Sequence, residues 1–204
     1  MNKPTPHYIN TTDTRCRLKL ARKHLSQQQQ SLAALKLALR IACHPSYKHA
    51  RVIAGYNAIN GEISLAPLME LALAQGKQWL IPNIKKNILQ FKTFNRRTKI
   101  RPNQFGIGEA PHAPAQAINN IDLFLCPLVA FDACGNRIGM GGGFYDRTLK
   151  AQLKKRSPYV FGVAHDLQQV SRILPNSWDI ALEGIFTPTR FLKSKRLQQT
   201  QSAI

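Results

Sequence analysis

The chain has 204 residues, with 29 Lys and Arg against 10 Asp and Glu, a formal net charge of +19, and 44% hydrophobic residues. Such a length forms one compact domain of roughly 100–200 residues with a sizeable core, and the ordinary hydrophobic content argues against intrinsic disorder despite the charge. No apolar run approaches the ~18–20 residues that span a bilayer, which argues against a membrane protein; the longest candidate, Ile121–Phe131, contains Asp122 and Pro127.

Met1–Thr12 lacks the apolar core of a secretory signal, so a cytoplasmic location is expected. Cys16, Cys43, Cys126 and Cys134 form no C-x-x-C pair and read as reduced thiols rather than a zinc ribbon or a disulfide framework. The positive charge calls for an anionic partner: nucleic acid, a membrane surface or a small polyanion such as a nucleotide. A generally basic proteome would account for it equally well.

In chain order, residues 13–44 read as two helices. Asp13 is placed to cap the first, and Ser26-Gln27-Gln28-Gln29 has the capping-box form ahead of Leu32, Leu35 and Leu39 at helical spacing. Pro45 closes the second helix. From Arg51 the period changes. Val52–Tyr56 reads as a buried strand ending in a polar loop, Ser64 with Leu65, Leu68 and Leu71 as a helix stopped by Gly76, and Trp79–Ile81 as the next strand. Together they form a βαβ unit, which requires a parallel sheet. Residues 85–114 predict a short hairpin around Leu89–Phe91 and then an exposed basic loop. Ile121–Cys126 and Tyr159–Val163 extend the sheet, with a helix near Tyr145–Leu153 between them. The domain is expected to cover residues 13–192, with 1–12 and 193–204 as frayed tails.

The strongest chemical signal is Asp132 to Arg147, which contains Gly139, Gly141, Gly142 and Gly143. Without side chains, their N–H groups can form an anion-binding nest, and a helix starting near Phe144 would aim its positive dipole end at the same point. Phosphate suits such a nest, although the segment is neither a Walker A loop nor a dinucleotide fingerprint; taken alone, such a loop is as readily a flexible turn. Acids are scarce, which draws attention to Asp146 beside the glycines and to Glu62 after the first strand. Asp146 reads either as a hard-oxygen Mg²⁺ ligand or as a helix N-terminal charge. Glu62 lies at the carboxyl end of a strand, where open α/β sheets collect ligands, or is a plain surface acid. His165 reads as structural. Arg15, Lys19 and Arg22 share a helix face that is either solvated or a phosphate clamp.

Pro127–Asp132, Gly135 and Arg137–Arg147 together resemble the signature of 5-formyltetrahydrofolate cyclo-ligases, also called methenyltetrahydrofolate synthetases. Gly61-Glu62-Ile63, Ile81-Pro82, Leu89–Phe91, Gly106–Glu109, Gly162–Gln168 and Trp178-Asp179 occur in the family's order, so the resemblance covers about residues 15–192. Two positions depart from the pattern. Thr11 stands where the family has a Lys one turn before Arg15, leaving Lys19 or Lys3 to substitute, and Ala110 separates Glu109 from Pro111.

The resemblance implies a single three-layer α/β/α domain with a mainly parallel, Rossmann-like sheet. It also implies ATP-dependent conversion of 5-formyltetrahydrofolate to 5,10-methenyltetrahydrofolate with Mg²⁺. Carried over by position, Arg137, Ile138, Gly139, Met140, Gly141, Gly142, Gly143, Phe144 and Tyr145 would hold ATP, with Arg15 and Lys19 completing that site. Arg137 and Tyr145 would be catalytic, and Asp146 and Asp179 would bind the metal. Asn57 and Glu62 would bind the folate, sharing Met140 to Phe144 with the nucleotide. A basic surface suits the folate's glutamate tail, including a polyglutamylated one. The competing reading, a nucleic-acid-binding protein on the same scaffold, lacks a recognisable module and has no aromatic residues interleaved with its basic runs.

Overall fold

Helix boundaries follow local side-chain chemistry. In the computed structural model, which describes residues 9–152 and 158–195, helix α1 (Thr11–Lys23) is capped by Asn10, whose Oδ1 accepts from the backbone N–H groups of Thr12 and Asp13. The expected cap, Asp13, instead lies in the first turn, where its charge complements the helix dipole. Helix α2 (Gln27–Cys43) opens with the expected capping box: Ser26 Oγ accepts from Gln29 N, and Gln29 Oε1 accepts from Ser26 N. Its buried face, however, is Ala34, Leu37, Ala38 and Ile41. Leu32 and Leu35 are 53% exposed and Leu39 67%. The helix carries two apolar rows, and the one with two alanines is the one that packs inward, since small side chains permit close approach. Pro45 ends α2 by holding His44 extended, and it starts the short helix α3 (Pro45–His49) as its first residue.

Strand β1 (Val52–Ala54), helix α4 (Ala66–Ala74) and strand β2 (Gln78–Lys85) form the anticipated unit, with β1 and β2 parallel and Ile53 opposite Trp79. Strand β3 (Ile88–Phe94) folds back on β2. The segment expected as an exposed loop is partly ordered. Strands β4 (Arg101–Pro102) and β5 (Gly108–Glu109) make a small hairpin, and β6 (Ala115–Gln116) joins the edge of β3. Three side chains fasten this segment: Asn57 Nδ2 donates to Gly108 O at 2.6 Å, Glu109 Oε1 accepts from Ile84 N at 2.8 Å, and Asn83 Oδ1 accepts from Ala110 N at 3.0 Å. Ala110, a departure from the family pattern, is fully buried.

The remaining elements are β7 (Leu123–Pro127), β8 (Ala130–Phe131), β9 (Arg137–Ile138), α5 (Phe144–Gln152), β10 (Tyr159–Val163), β11 (Gly184–Phe186) and β12 (Phe191–Lys193). The main sheet runs β12-β11-β10-β7-β1-β2-β3-β6 and is parallel from β11 to β2. Alternate residues of β7 face opposite cores: Leu123 and Leu125 pack with α2 and α4, whereas Phe124 and Cys126 pack with Leu149 of α5. Helices therefore cover both faces of a mainly parallel sheet. Thr11 and Thr12 lie in α1 and Lys193 in β12, while Ser194 N and Lys195 N donate to Glu183 O and Cys134 O, so ordered structure reaches into both segments expected as tails. Residues 1–8 with Lys3, residues 196–204, and Leu153 at the end of the expected fourth helix lie outside the described residues. No described helix is long and apolar enough to cross a membrane.

β1 lies between β2 and β7, and the chain reaches β2 on one side before crossing to β7 on the other. The carboxyl ends of β1 and β7 thus flank a topological switch point, the place where such sheets bind ligands. The packing of α2 predicts that Leu37→Ala costs about 2–5 kcal/mol of unfolding free energy, whereas Leu35→Ala changes it by less than about 0.5 kcal/mol. Urea denaturation of the two variants checks this, and equal losses would contradict the observed orientation.

Candidate functional site

The loop after β1 presents Glu62 and is held from behind. Asn60 and Gly61 both have positive φ (52° and 74°), and a Cβ on Gly61 would lie 2.6 Å from the carbonyl oxygen of Arg22. Only glycine fits there. Gly61 O accepts from Gln30 Nε2 and from His165 Nε2, the latter at 3.2 Å. His165 is buried, which pushes its pKa down, and its ring holds the carbonyl of the Glu62 loop in place.

Arg22 is fully buried rather than solvated or facing a phosphate. Its Nε donates to Asn60 O at 2.9 Å, Nη1 to Leu128 O at 3.3 Å and Nη2 to Glu62 Oε1 at 3.4 Å, and Nη2 lies 3.8 Å from the sulfur of Met140. Glu62 is 8% exposed, and its Oε2 accepts from Ile59 N. Burial pushes the Glu62 carboxyl up, while the charges of Arg22 and Lys19 and the bond from Ile59 oppose the rise. Burial likewise lowers the Arg22 pKa against the pull of Glu62.

The second wall is the glycine segment between β9 and α5. Arg15 Nε donates to Gly139 O at 2.9 Å, tying the segment to α1. Gly141 has φ 102° and Gly143 φ 60°. Nothing lies within 4 Å of a Cβ built on Gly139 or Gly141, so open space faces the backbone at the N-terminus of α5. That space belongs to a cleft of about 480 Å³ lined by Arg15, Arg137, Gly139, Gly141, Gly143 and Asp146, with Asp179 and Ile138 also contributing. Thr11 lines it as well, at the position where the family pattern has a Lys. Lys19 is not among the lining residues; its charge acts on Glu62. Met140, whose sulfur contacts Arg22, connects the glycine segment to the Glu62 side.

Arg137 donates to Asp146 Oδ1 and to Ile180 O, and the same Asp146 oxygen accepts from Ile180 N at 3.0 Å. Asp179 Oδ2 accepts from Asn176 N at 2.8 Å. One oxygen of each acid therefore accepts hydrogen bonds within its own wall of the cleft. Among the described residues, no group of three or more His, Cys, Asp or Glu side chains could hold a metal unaided. Gly142 and Phe144 pack on each other, with Arg147 over the Phe144 ring. The Tyr145 hydroxyl is buried without a hydrogen-bond partner among the described residues, and its pKa is raised by burial and by the proximity of Cys126, Glu62 and Tyr56. Asn57 spends its amide on Gly108.

A sequence model of the 5-formyltetrahydrofolate cyclo-ligase family matches residues 10–188. The chain belongs to this family. It is 33% identical over 176 residues to the 5-formyltetrahydrofolate cyclo-ligase of Escherichia coli K12, covering 83% of this chain and 95% of the relative. It is 35% identical over 191 residues to that of Haemophilus influenzae, covering 91% and 98%. Among solved structures, the 5,10-methenyltetrahydrofolate synthetase of Aquifex aeolicus superposes with a TM-score of 0.78 at 26% identity, covering 91% of this chain and 93% of the other.

Residues that sequence reasoning missed are those whose role depends on packing. Arg22 extends the row Thr14, Leu18 and Arg22, spaced by four along α1, and all three are buried. That row was legible in the sequence, but the charge concealed it. The apolar side of the cleft, Ile173, Leu174 and Trp178, comes from a segment without periodicity. Removing one partner of a buried pair strands the other, so Arg22→Met should cost about 3–5 kcal/mol. The Arg22→Met/Glu62→Gln double variant should recover a large part of this loss. A double-mutant cycle in urea measures the coupling, and simple additivity would show that the pair is not a unit.

Proposed function

We propose that the protein cyclises 5-formyltetrahydrofolate to 5,10-methenyltetrahydrofolate at the expense of ATP, releasing ADP and phosphate, and that it does so in the cytoplasm, where both substrates are available. The observation that carries this reading is the glycine segment. One flank opens on a cleft of cations and two acids, and the other reaches the buried Glu62 through Met140 and Arg22. A polyanion and an uncharged heterocycle can thus be held on either side of one loop.

The chemistry asks for this arrangement. The formyl oxygen is a poor leaving group, so it first attacks the γ-phosphorus, and ADP departs. N10 then attacks the activated carbon and loses its proton, and the phosphate leaves with the former formyl oxygen. Phosphoryl transfer of this type needs positioning and charge stabilisation above all. Backbone N–H groups of residues 139–145 and the N-terminus of α5 would cradle the phosphates, with Arg15 and Arg137 supplying positive charge. Lys19 would contribute at longer range. Glu62 would accept hydrogen bonds from the pterin, beside Asn57. A polar atom of the folate would give the Tyr145 hydroxyl the partner it lacks, which favours substrate because an unpaired buried hydroxyl costs free energy. The cationic exterior would serve the glutamate tail, more so when it is polyglutamylated.

Among the described residues, Asp146 Oδ2 and Asp179 Oδ1 accept no hydrogen bond, whereas the other oxygen of each acid does. This fits Mg²⁺, which commonly takes one or two carboxylates together with substrate phosphates and water. Bound there, Mg²⁺ would neutralise charge building on the phosphate oxygens.

Mixing the protein with 5-formyltetrahydrofolate and Mg-ATP should produce the near-ultraviolet absorbance of the methenyl product. No product, or equal product without ATP, would refute the activity. Gly141→Val should abolish ATP binding while leaving a folded protein, since a β-branched residue at φ 102° costs only about 1–3 kcal/mol of strain but fills the phosphate's space. Thermal unfolding and nucleotide binding measured on one preparation decide between a phosphate cradle and a mere turn. Asp179→Asn is the cleaner metal test, because Asp146 also holds Arg137. It should raise severalfold the Mg²⁺ concentration that gives half-maximal rate, and an unchanged Mg²⁺ dependence would leave Asp179 as a turn cap.

A further inference from the structure

The cleft beside the glycine segment has one wall unlike the others. Leu174 and Trp178 line it while each remains 60% exposed, and the buried Ile173 lines it next to them. An exposed tryptophan over an otherwise cationic and polar cleft forgoes a large apolar contact, which marks it as a surface waiting for an aromatic or apolar partner. The segment carrying it is pinned at both ends. Ile173 N donates to Asp132 Oδ2 at 3.0 Å, and Ile180 N donates to Asp146 Oδ1 at 3.0 Å. Between them, the Asn176–Asp179 turn is closed by the bond from Asn176 N to Asp179 Oδ2. Trp178 therefore sits on a braced loop, and the carboxylate that braces its far end is the one paired with Arg137 beside the glycines.

We propose that Trp178, with Leu174 and Ile173 at its side, is the platform on which the purine base of the bound nucleotide stacks. The proposal rests on the reading of this cleft as the nucleotide site. The folate candidates Glu62 and Asn57 do not line the cleft, so the aromatic group brought to it is the base rather than the pterin. An indole face gains from stacking on any flat heterocycle and confers affinity without reading the base edge. The phosphates would be held by the glycine segment and the arginines, and the base by a separate apolar wall of the same cleft.

The chain has two tryptophans, and Trp79 is buried at 1% exposure, so changes in solvent-exposed indole emission report on Trp178. ADP is titrated into the protein while fluorescence is followed, inorganic tripolyphosphate is titrated in parallel, and both affinities are measured by calorimetry. ADP should quench the exposed emission saturably, and tripolyphosphate should bind without doing so. Trp178→Ala should weaken ADP binding roughly tenfold or more while leaving tripolyphosphate affinity within about twofold, and Trp178→Phe should restore most of the loss because a phenyl face also stacks. An ADP affinity unchanged in Trp178→Ala, an equal quench by tripolyphosphate, or a quench by 5-formyltetrahydrofolate alone would overturn the platform while leaving the nucleotide cleft standing. Failure of the wild-type protein to bind either ADP or tripolyphosphate would overturn the cleft and the platform together.

Discussion

A guanidinium group removed from water is costly unless every donor finds an acceptor and the charge finds a counter-charge. In Arg22 all three guanidinium nitrogens donate to oxygens, and these come from segments far apart in the chain: Asn60 and Glu62 after β1, and Leu128 after β7. The requirement works in both directions. Glu62 would be driven toward its neutral form by burial, and it is held toward ionisation mainly by Arg22. Each partner thus makes the other's burial tolerable, and the two loops at the switch point are fixed relative to each other because the guanidinium leaves them little freedom. Gly61 belongs to the same arrangement: the loop passes so close to the end of α1 that a side chain at this position would collide with the Arg22 carbonyl.

The glycine side of the cleft is built by a complementary device. Arg15, from the same helix, reaches Gly139 O, so α1 braces the glycine segment through one arginine and the Glu62 loop through another. Asp146 braces the opposite side by joining Arg137 to the backbone at Ile180. Between these braces, the glycine backbone needs no side chain of its own. Its positive φ at Gly141 turns the chain where the cleft is open, and the N-terminus of α5 faces the same region. A catalyst of phosphoryl transfer benefits from donors that are oriented before the substrate arrives, and here the orientation is supplied by side chains anchored outside the loop.

The parts of this design visible in the sequence are those that repeat or that require a particular residue. The βαβ unit, the capping box at Ser26 and the glycine run were legible because period, cap chemistry and absent side chains leave marks on single residues. The inward face of α2 is not legible: both apolar rows have helical spacing, and the choice between them is made by tertiary packing on the row that contains Ala34 and Ala38. The β4–β5 hairpin reads as loop because its strands are two residues each and it is fastened to residues distant in sequence: Asn57, Asn83 and the Ile84 backbone, the last reached by its own Glu109. Arg22 looked like surface charge because a sequence shows a residue's type but not the counter-charge that allows its burial.

The distribution of carboxylates ties these observations to the unusual net charge. Glu62, Glu109, Asp122, Asp132, Asp146 and Asp179 each accept at least one backbone N–H, so acids in this chain are spent mainly on holding loops. With 29 basic residues and 10 acidic ones, the exterior is dominated by positive charge. Such a field raises the local concentration of small polyanions and speeds their encounter with a cleft, an effect that weakens as salt is added. It selects by charge and not by shape. Under the proposed function, discrimination among the anions so attracted would fall to groups whose positions are fixed: the glycine backbone, the buried Glu62 and the apolar wall at Trp178. Of these six acids only Glu62 and Asp132 are buried, so the positive excess comes from the shortage of acids as a whole, and the few the chain has are placed where their oxygens hold backbone.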